Sequence, residues 1–106
     1  MHPLRRYVLP FLLAALLAGP WLAGCAGMPL QEMSDARQAI RAAERAGAEQ
    51  HAPELLGAAR ESVERARVNL HKGEYRQARE DAELARQKAM EARTIAESTQ
   101  APAPGP

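Results

Sequence analysis

The sequence predicts an all-α protein: an antiparallel helical hairpin or a small three-helix bundle that follows an N-terminal lipoprotein signal peptide. After about residue 30, apolar and small residues recur alternately three and four positions apart, which is the period of an amphipathic helix. The strict alternation of a half-buried strand appears nowhere in the chain. The leader is predicted because a basic start and an apolar run precede the single cysteine, Cys25.

The first 24 residues have the layout of a secretory signal peptide. Arg5 and Arg6 supply positive charge at the start, and residues 8–22 form an apolar run rich in Leu and Ala. This run is shorter than the ~20 residues of a membrane-spanning helix, and Gly19 and Pro20 interrupt it near its end. We therefore expect a cleaved leader. The alternative is a permanent transmembrane anchor.

The end of this leader resembles the bacterial lipobox, whose residues here are Leu22, Ala23, Gly24 and Cys25. The Cys25 thiol is the nucleophile that takes a diacylglyceryl group, and the small residues before it give a signal peptidase access to the bond. The alternative is an incidental thiol, since a single cysteine cannot form an internal disulfide. Ala26 rather than an aspartate follows, which resembles the enteric sorting signal for the outer membrane.

These features divide the chain into four expected parts. They are a signal peptide at residues 1–24, a lipidated tether at 25–30, an Ala-rich helical domain at 31–98 and a disordered Pro-rich tail at 99–106. One core as small as this helical domain rarely contributes more than ~3–5 kcal/mol of net stability. We therefore expect the domain to associate with another envelope protein or with a copy of itself.

The first two predicted helices cover about residues 30–48 and 53–71, and Pro53 suits the first turn of the second. Each carries one narrow stripe of small and apolar residues, of the coiled-coil type. The stripe of the first helix contains Met33, Ala36, Ile40, Ala43 and Gly47, and that of the second contains Leu56, Ala59, Val63, Ala66 and Leu70.

The third predicted helix covers about residues 74–98. Its stripe is nearly all alanine and contains Tyr75, Ala78, Ala82, Ala85, Ala89, Ala92 and Ala96. Alanine lets helix axes approach closely but buries little area, so larger residues opposite it must supply most of the hydrophobic stabilisation. The best placed of these are Leu55, Leu56, Val63 and Leu70.

Three large apolar residues of the third helix lie off its stripe: Leu84, Met90 and Ile95. They are predicted to face the first helix or a second molecule, which makes them the candidate partner contacts. The alternative is ordinary core packing.

The second and third helices are joined by a short turn around Gly73, a residue that can take the left-handed conformation that ends a helix. Such a short connection predicts antiparallel neighbours. The turn and the start of the third helix resemble a tetratricopeptide repeat, through Gly73, Tyr75, Ala78, Ala82 and Ala85. The chain has no second copy at a period of about 34 residues, so a solenoid is not expected.

Charge and aromatic content argue against nucleic-acid binding. Of the 14 lysines and arginines, Arg5 and Arg6 lie in the leader, so the remainder of the chain has 12 basic against 13 acidic residues. Tyr75 is the one aromatic residue after the leader, so no stacking platform is expected.

The remaining polar residues predict neither a metal site nor an enzyme. His2, His51 and His71 lie far apart, without the spacing of zinc ligands. Many acidic residues have a basic residue four positions away, which predicts a solvated helix surface with ion pairs. Examples are Glu61 with Arg65, Arg76 with Glu80 and Arg79 with Glu83. A thin helical hairpin offers no pocket for acid–base catalysis.

The pattern of small residues over positions 36–93 resembles a family of small envelope proteins, the domain of unknown function 4398. The residues that carry the resemblance are Ala39, Ala43, Ala46, Gly47, Ala52, Pro53, Glu54, Leu55, Ala59, Ala66, Leu70, Gly73, Tyr75, Ala78, Ala82, Ala85 and Ala89. In longer relatives a similar helical segment precedes a peptidoglycan-binding domain like that of outer-membrane protein A. This sequence stops at Pro106 without that domain, so we do not expect it to bind peptidoglycan in that way.

Taken together, these features predict a periplasmic lipoprotein of the outer membrane that acts as a structural or protein-interaction module without a cofactor. The alternative is a carrier that holds an apolar ligand between its helices.

Overall fold

The computed structural model describes residues 27–100, which form four α-helices and, over that range, no strand. The helices are α1 (Leu30–Arg45), α2 (Ala48–His51), α3 (Pro53–His71) and α4 (Tyr75–Gln100). The predicted all-α class is therefore confirmed. The predicted signal peptide and most of the Pro-rich tail lie outside the described residues.

Three long helices run up, down and up. α3 and α4 are antiparallel across the turn at Gly73, whose φ of 77° is left-handed as predicted. α1 is parallel to α4, because Met33 shares one buried cluster with Ala82 and Ala85, whereas Ile40, further along α1, shares a second cluster with the later alanines of α4. α4 contacts both α1 and α3 more extensively than those two contact each other.

This topology gives the bundle two ends. The chain enters at what we call the entry end, formed by residues 27–30 and 71–76, where α1 and α4 begin and α3 ends. The opposite end, which we call the α2 end, is formed by residues 45–54 and 97–100. The 26 residues of α4 separate the two ends by about 39 Å at a rise of ~1.5 Å per residue.

The buried face of α4 is a stripe of alanines that we call the alanine seam. Its six members all have 0 % exposure: Ala78, Ala82, Ala85, Ala89, Ala92 and Ala96. The large side chains that fill the core come from the other two helices, chiefly Met33, Ile40 and Leu56. Tyr75 was predicted to belong to the same stripe but is exposed, because it is the first residue of α4 and lies at the edge of the bundle.

The predicted first helix was too long at its C-terminus. α1 ends at Arg45, and Gly47 takes a left-handed φ of 92° before the short α2 begins. The N–H groups of Ala46 and Gly47 still bond to carbonyls of α1, at Ala42 and Glu44. Gly47 is thus a turn residue and not a member of the α1 stripe.

The predicted stripe of α3 was also wrong in part. Ser62 is buried, whereas Val63 and Leu70 are only partly buried. The reason is that α3 packs against both α1 and α4, so its buried face is wider than one coiled-coil stripe. The Ser62 hydroxyl is satisfied in the core because it accepts a hydrogen bond from Arg65 Nη2 at 2.9 Å.

The boundary of the predicted tail shifts by two residues, since α4 continues through Thr99 and Gln100. Thr99 Oγ1 donates to the carbonyl of Ile95 at 2.8 Å. Gln100 Nε2 donates to the carbonyl of Ala46 at 2.8 Å, which fastens the last turn of α4 to the end of α1.

We expect Gly47→Ala to destabilise the bundle by at least about 1–2 kcal/mol, because alanine is unfavourable in the left-handed region. In addition, a Cβ at Gly47 would overlap the side-chain amide of Gln100. The matched control is Gly57→Ala, since Gly57 is helical and no atom lies within 4 Å of its added Cβ. That substitution should leave stability unchanged or raise it. Urea unfolding followed by circular dichroism measures both, and equal stabilities would contradict the assignment of Gly47 as the essential turn.

We expect Ala92→Leu to destabilise the bundle by about 1–3 kcal/mol, because it inserts three carbons into a packed core. Ala92 has 0 % exposure in the cluster that contains Ile40 and Leu56. The neighbouring Glu91→Leu adds a leucine on the exposed side of the same helix turn and should change the free energy of unfolding far less. Thermal unfolding of the two variants tests this, and a tolerated Ala92→Leu would mean that α4 packs loosely.

Candidate functional site

The predicted lipidation site lies outside the described residues. Cys25 and the peptidase recognition residues Leu22, Ala23 and Gly24 precede Gly27, the first described residue. Their role stays a prediction from sequence. What the structure describes is the attachment of the segment that follows them.

Residues 27–29 are fastened to α4. Arg79 Nη2 donates to the carbonyl of Gly27 at 3.4 Å, and Arg79 Nε lies 3.5 Å from Glu32 Oε1 of α1. Pro29 is almost fully buried, and its carbonyl accepts the N–H of Met33 at 3.1 Å. Residues that contact the bundle are thus found from Gly27 onward, two positions after Cys25.

The predicted partner contacts are all at the surface. Leu84, Met90 and Ile95 are 37 %, 49 % and 39 % exposed. They do not contribute to the buried clusters of the bundle. These three side chains are therefore not part of the packed core, which was the alternative to a contact role.

The three residues do not share one surface. Leu84 and Ile95 are eleven positions apart, so at about 100° per residue they point within ~20° of each other, whereas Met90 points more than about 100° away from either. Asp81, one turn before Leu84, contacts Arg65 of α3, which places Leu84 and Ile95 on the α3 flank of α4. Met90 lies on the opposite flank, towards α1.

The positions between Leu84 and Ile95 on the α3 flank are charged. Lys88 and Glu91 continue the spacing of four, three and four residues, so Leu84, Lys88, Glu91 and Ile95 form a single surface line that we call the α4 strip. Two apolar side chains thus bracket one cation and one anion. This arrangement suits a helical or extended partner with a matching pair of charges.

Polar contacts between helices were missed at the sequence level. Arg65 Nε lies 3.8 Å from Asp81 Oδ1, and Asn69 Nδ2 donates to Asp81 Oδ2 at 2.8 Å, which links α3 to α4. Arg60 Nη2 lies 2.8 Å from Glu49 Oε1, which links α3 to α2. The spacing of four residues predicted contacts within one helix for Arg65 and Arg79, whereas in the structure each contacts a neighbouring helix. The short turn at Gly73 predicted that α3 and α4 are neighbours, but it did not indicate which of their polar side chains meet.

The ionisable groups behave as a solvated surface. A hydrogen bond from Arg67 lowers the pKa of the Glu64 carboxyl, and the same contact raises the pKa of Arg67. Both side chains are about half exposed, so solvent screens their attraction. Over residues 27–100, no group of three His, Cys, Asp or Glu side chains has the arrangement of a metal site.

The grooves beside α4 are open and polar. One lies between α1 and α4 and is lined by Glu32, Asp35, Glu83, Arg86 and Gln87. A second, on the same side, is lined by Ala42, Arg45, Ala46, Arg93 and Glu97. Charged side chains dominate both linings. In the part of the chain that the structure describes, no helix has the length and hydropathy to cross a bilayer.

One family model matches residues 31–103 of the chain, whereas no curated protein and no solved structure matches it. The matching family is described as a domain of unknown function, DUF4398. The match takes in almost all of the four helices, including the alanine seam on which the sequence resemblance was drawn. The chain therefore belongs to the DUF4398 family.

Proposed function

We propose that this protein is a periplasmic lipoprotein of the outer membrane, held there by lipid on Cys25, and that its helical bundle serves as a structural or protein-interaction module. The observation that carries the proposal is the lipobox at residues 22–25 followed within two positions by a folded domain. Two or three acyl chains hold a protein at a bilayer far more firmly than one. The lipid thus localises the bundle, and the bundle supplies the contacts.

The surface of the bundle supports an interaction role more than a catalytic one. A general acid or base needs a carboxyl group or imidazole held in a pocket that alters its pKa. The carboxylate whose pKa is lowered here, that of Glu64, is on an exposed face beside Arg67. This pair lies within α3 on its solvated surface, where it offers no enclosed site for a reaction.

The α4 strip is the surface that we assign to partner binding. Leu84 and Ile95 expose apolar area on one flank, and Lys88 and Glu91 between them add charge specificity. In this arrangement the two apolar residues supply buried area at the ends of the strip, and the two charges between them select a partner of complementary charge. Met90 lies on the other flank, so we place it outside this contact.

A carrier of an apolar ligand remains the alternative function. The six alanines of the seam are fully buried, so α1 and α3 lie close against α4 and a ligand would have to separate them. The open grooves on the α1 flank are lined mainly by charged residues. These observations favour the interaction module.

We expect the protein made in a Gram-negative host to have the mass of a chain that begins at an acylated Cys25. Cys25→Ala should abolish that mass and release the protein from the membrane fraction, because the thiol is the site of acylation. Ser34→Ala is a control, since Ser34 lies in the bundle and away from the leader. An unaltered chain that keeps its full leader without acylation, together with membrane binding that persists in Cys25→Ala, would instead identify residues 8–22 as a transmembrane anchor.

We expect a photo-crosslinking amino acid at Ile95 to form a specific protein adduct in intact cells. The same amino acid at Glu61, an exposed residue elsewhere on the bundle, is the matched control. Leu84→Ser should reduce the Ile95 adduct several-fold, because the two residues share one strip. An adduct pattern that is the same at both positions would remove the strip as the contact site.

A further inference from the structure

The large exposed hydrophobic residues are unevenly distributed over the two ends of the bundle. Met28 and Leu30 at the entry end are 48 % and 58 % exposed, and Tyr75, also at the entry end, is 36 % exposed. Residues 45–54 and 97–100, which form the α2 end, expose no large hydrophobic side chain. Exposed apolar side chains that lie together at one end of a bundle mark a candidate contact surface, because they leave apolar area in water.

These three residues lie close together because of the topology. Met28 and Leu30 flank the buried Pro29, and Leu30 is the first residue of α1. Tyr75 is the first residue of α4 and lies one turn before Arg79, which bonds to the carbonyl of Gly27. Since α1 and α4 are parallel, both helices begin at the same end. We call Met28, Leu30 and Tyr75 the entry-end cluster.

Exposed basic residues stand beside the cluster. Lys72 in the turn and Arg76 in the first turn of α4 are both exposed, and Glu74 is the one acidic residue between them. Lys and Arg can extend their charged groups towards lipid phosphates while their methylenes lie on apolar surface. Tyrosine is itself enriched at the boundary between lipid and water.

The distance from the anchor limits what can cover this cluster. Gly27 lies two positions after Cys25, with only Ala26 between them, and at ~3.6 Å per position the two Cα atoms are at most about 7 Å apart. The carbonyl of Gly27 accepts a hydrogen bond from Arg79 at 3.4 Å, and Pro29 two positions later is buried, so the chain after Cys25 joins the bundle within a few residues. If Cys25 carries lipid, the entry end therefore lies within about one helix diameter of the headgroups.

We infer that the entry end of the bundle is a membrane-contacting surface: Met28, Leu30 and Tyr75 rest in the interfacial region of the bilayer, and Lys72 and Arg76 face lipid phosphates. The entry end of the bundle then contacts the membrane, and the α2 end is the part farthest from the membrane. This inference rests on the proposed lipid anchor and adds to it an orientation.

The test uses the full chain, lipidated in a Gram-negative host and reconstituted in vesicles of phosphatidylethanolamine and phosphatidylglycerol. His71→Cys and His51→Cys provide a matched pair of labelling sites, because both residues are exposed and they lie next to opposite ends of α3. Acylated Cys25 has no free thiol, so a thiol-reactive fluorophore marks only the new cysteine. Nitroxide-bearing lipids quench a fluorophore that lies near the headgroups.

We expect the label at position 71 to be quenched several-fold more than the label at position 51. Met28→Ser combined with Leu30→Ser should reduce that difference, whereas Leu84→Ser on the flank of α4 should not. Equal quenching at the two positions in vesicle-bound, lipidated protein would overturn the inference and leave the anchor intact. Two labels per chain, together with loss of vesicle binding, would instead contradict lipidation at Cys25 and the proposed function with it.

Discussion

The structure depends on the close approach of α4 to two other helices at once. An alanine carries nothing beyond its Cβ, so a stripe of six alanines lets two helices lie against one face of α4. The same stripe contributes little apolar area, so the core relies on a few large side chains, above all Met33, Ile40 and Leu56. The parallel course of α1 and α4 follows from the two chain reversals between them, one through α2 and one at the turn after α3.

The local pattern of the sequence was enough to predict α3, α4 and the alanine seam. Pro53 and Gly73 mark the limits of α3, and the spacing of small residues determines the buried face of α4. The errors occurred where the outcome depends on neighbours. Ser62 is buried because α3 has two partners, and α4 ends two residues later than predicted, where Gln100 bonds to the carbonyl of Ala46.

For the candidate sites too, features set by a short stretch of sequence were predictable, and features that depend on neighbouring helices were not. The lipobox at residues 22–25 could be proposed from sequence because a lipidating enzyme recognises a short linear segment, and such recognition does not depend on the fold. Leu84, Met90 and Ile95 could be placed off the seam, since their register follows from helical period alone. Which of them share a surface could not be predicted, because the two flanks of α4 become different only when α1 packs on one and α3 on the other.

The orientation inferred for the bundle at the membrane limits which kind of partner the α4 strip can bind. Copies that stand on one bilayer with their entry ends down are parallel to each other. If two such copies met through the α4 strip, Lys88 would face Lys88 and Glu91 would face Glu91, and like charges in contact disfavour association. Self-pairing of the strip would require antiparallel copies, whose anchors would lie at opposite ends of the pair. On a single membrane, the strip is therefore better suited to a different envelope protein, one that offers an acidic group to Lys88 and a basic group to Glu91.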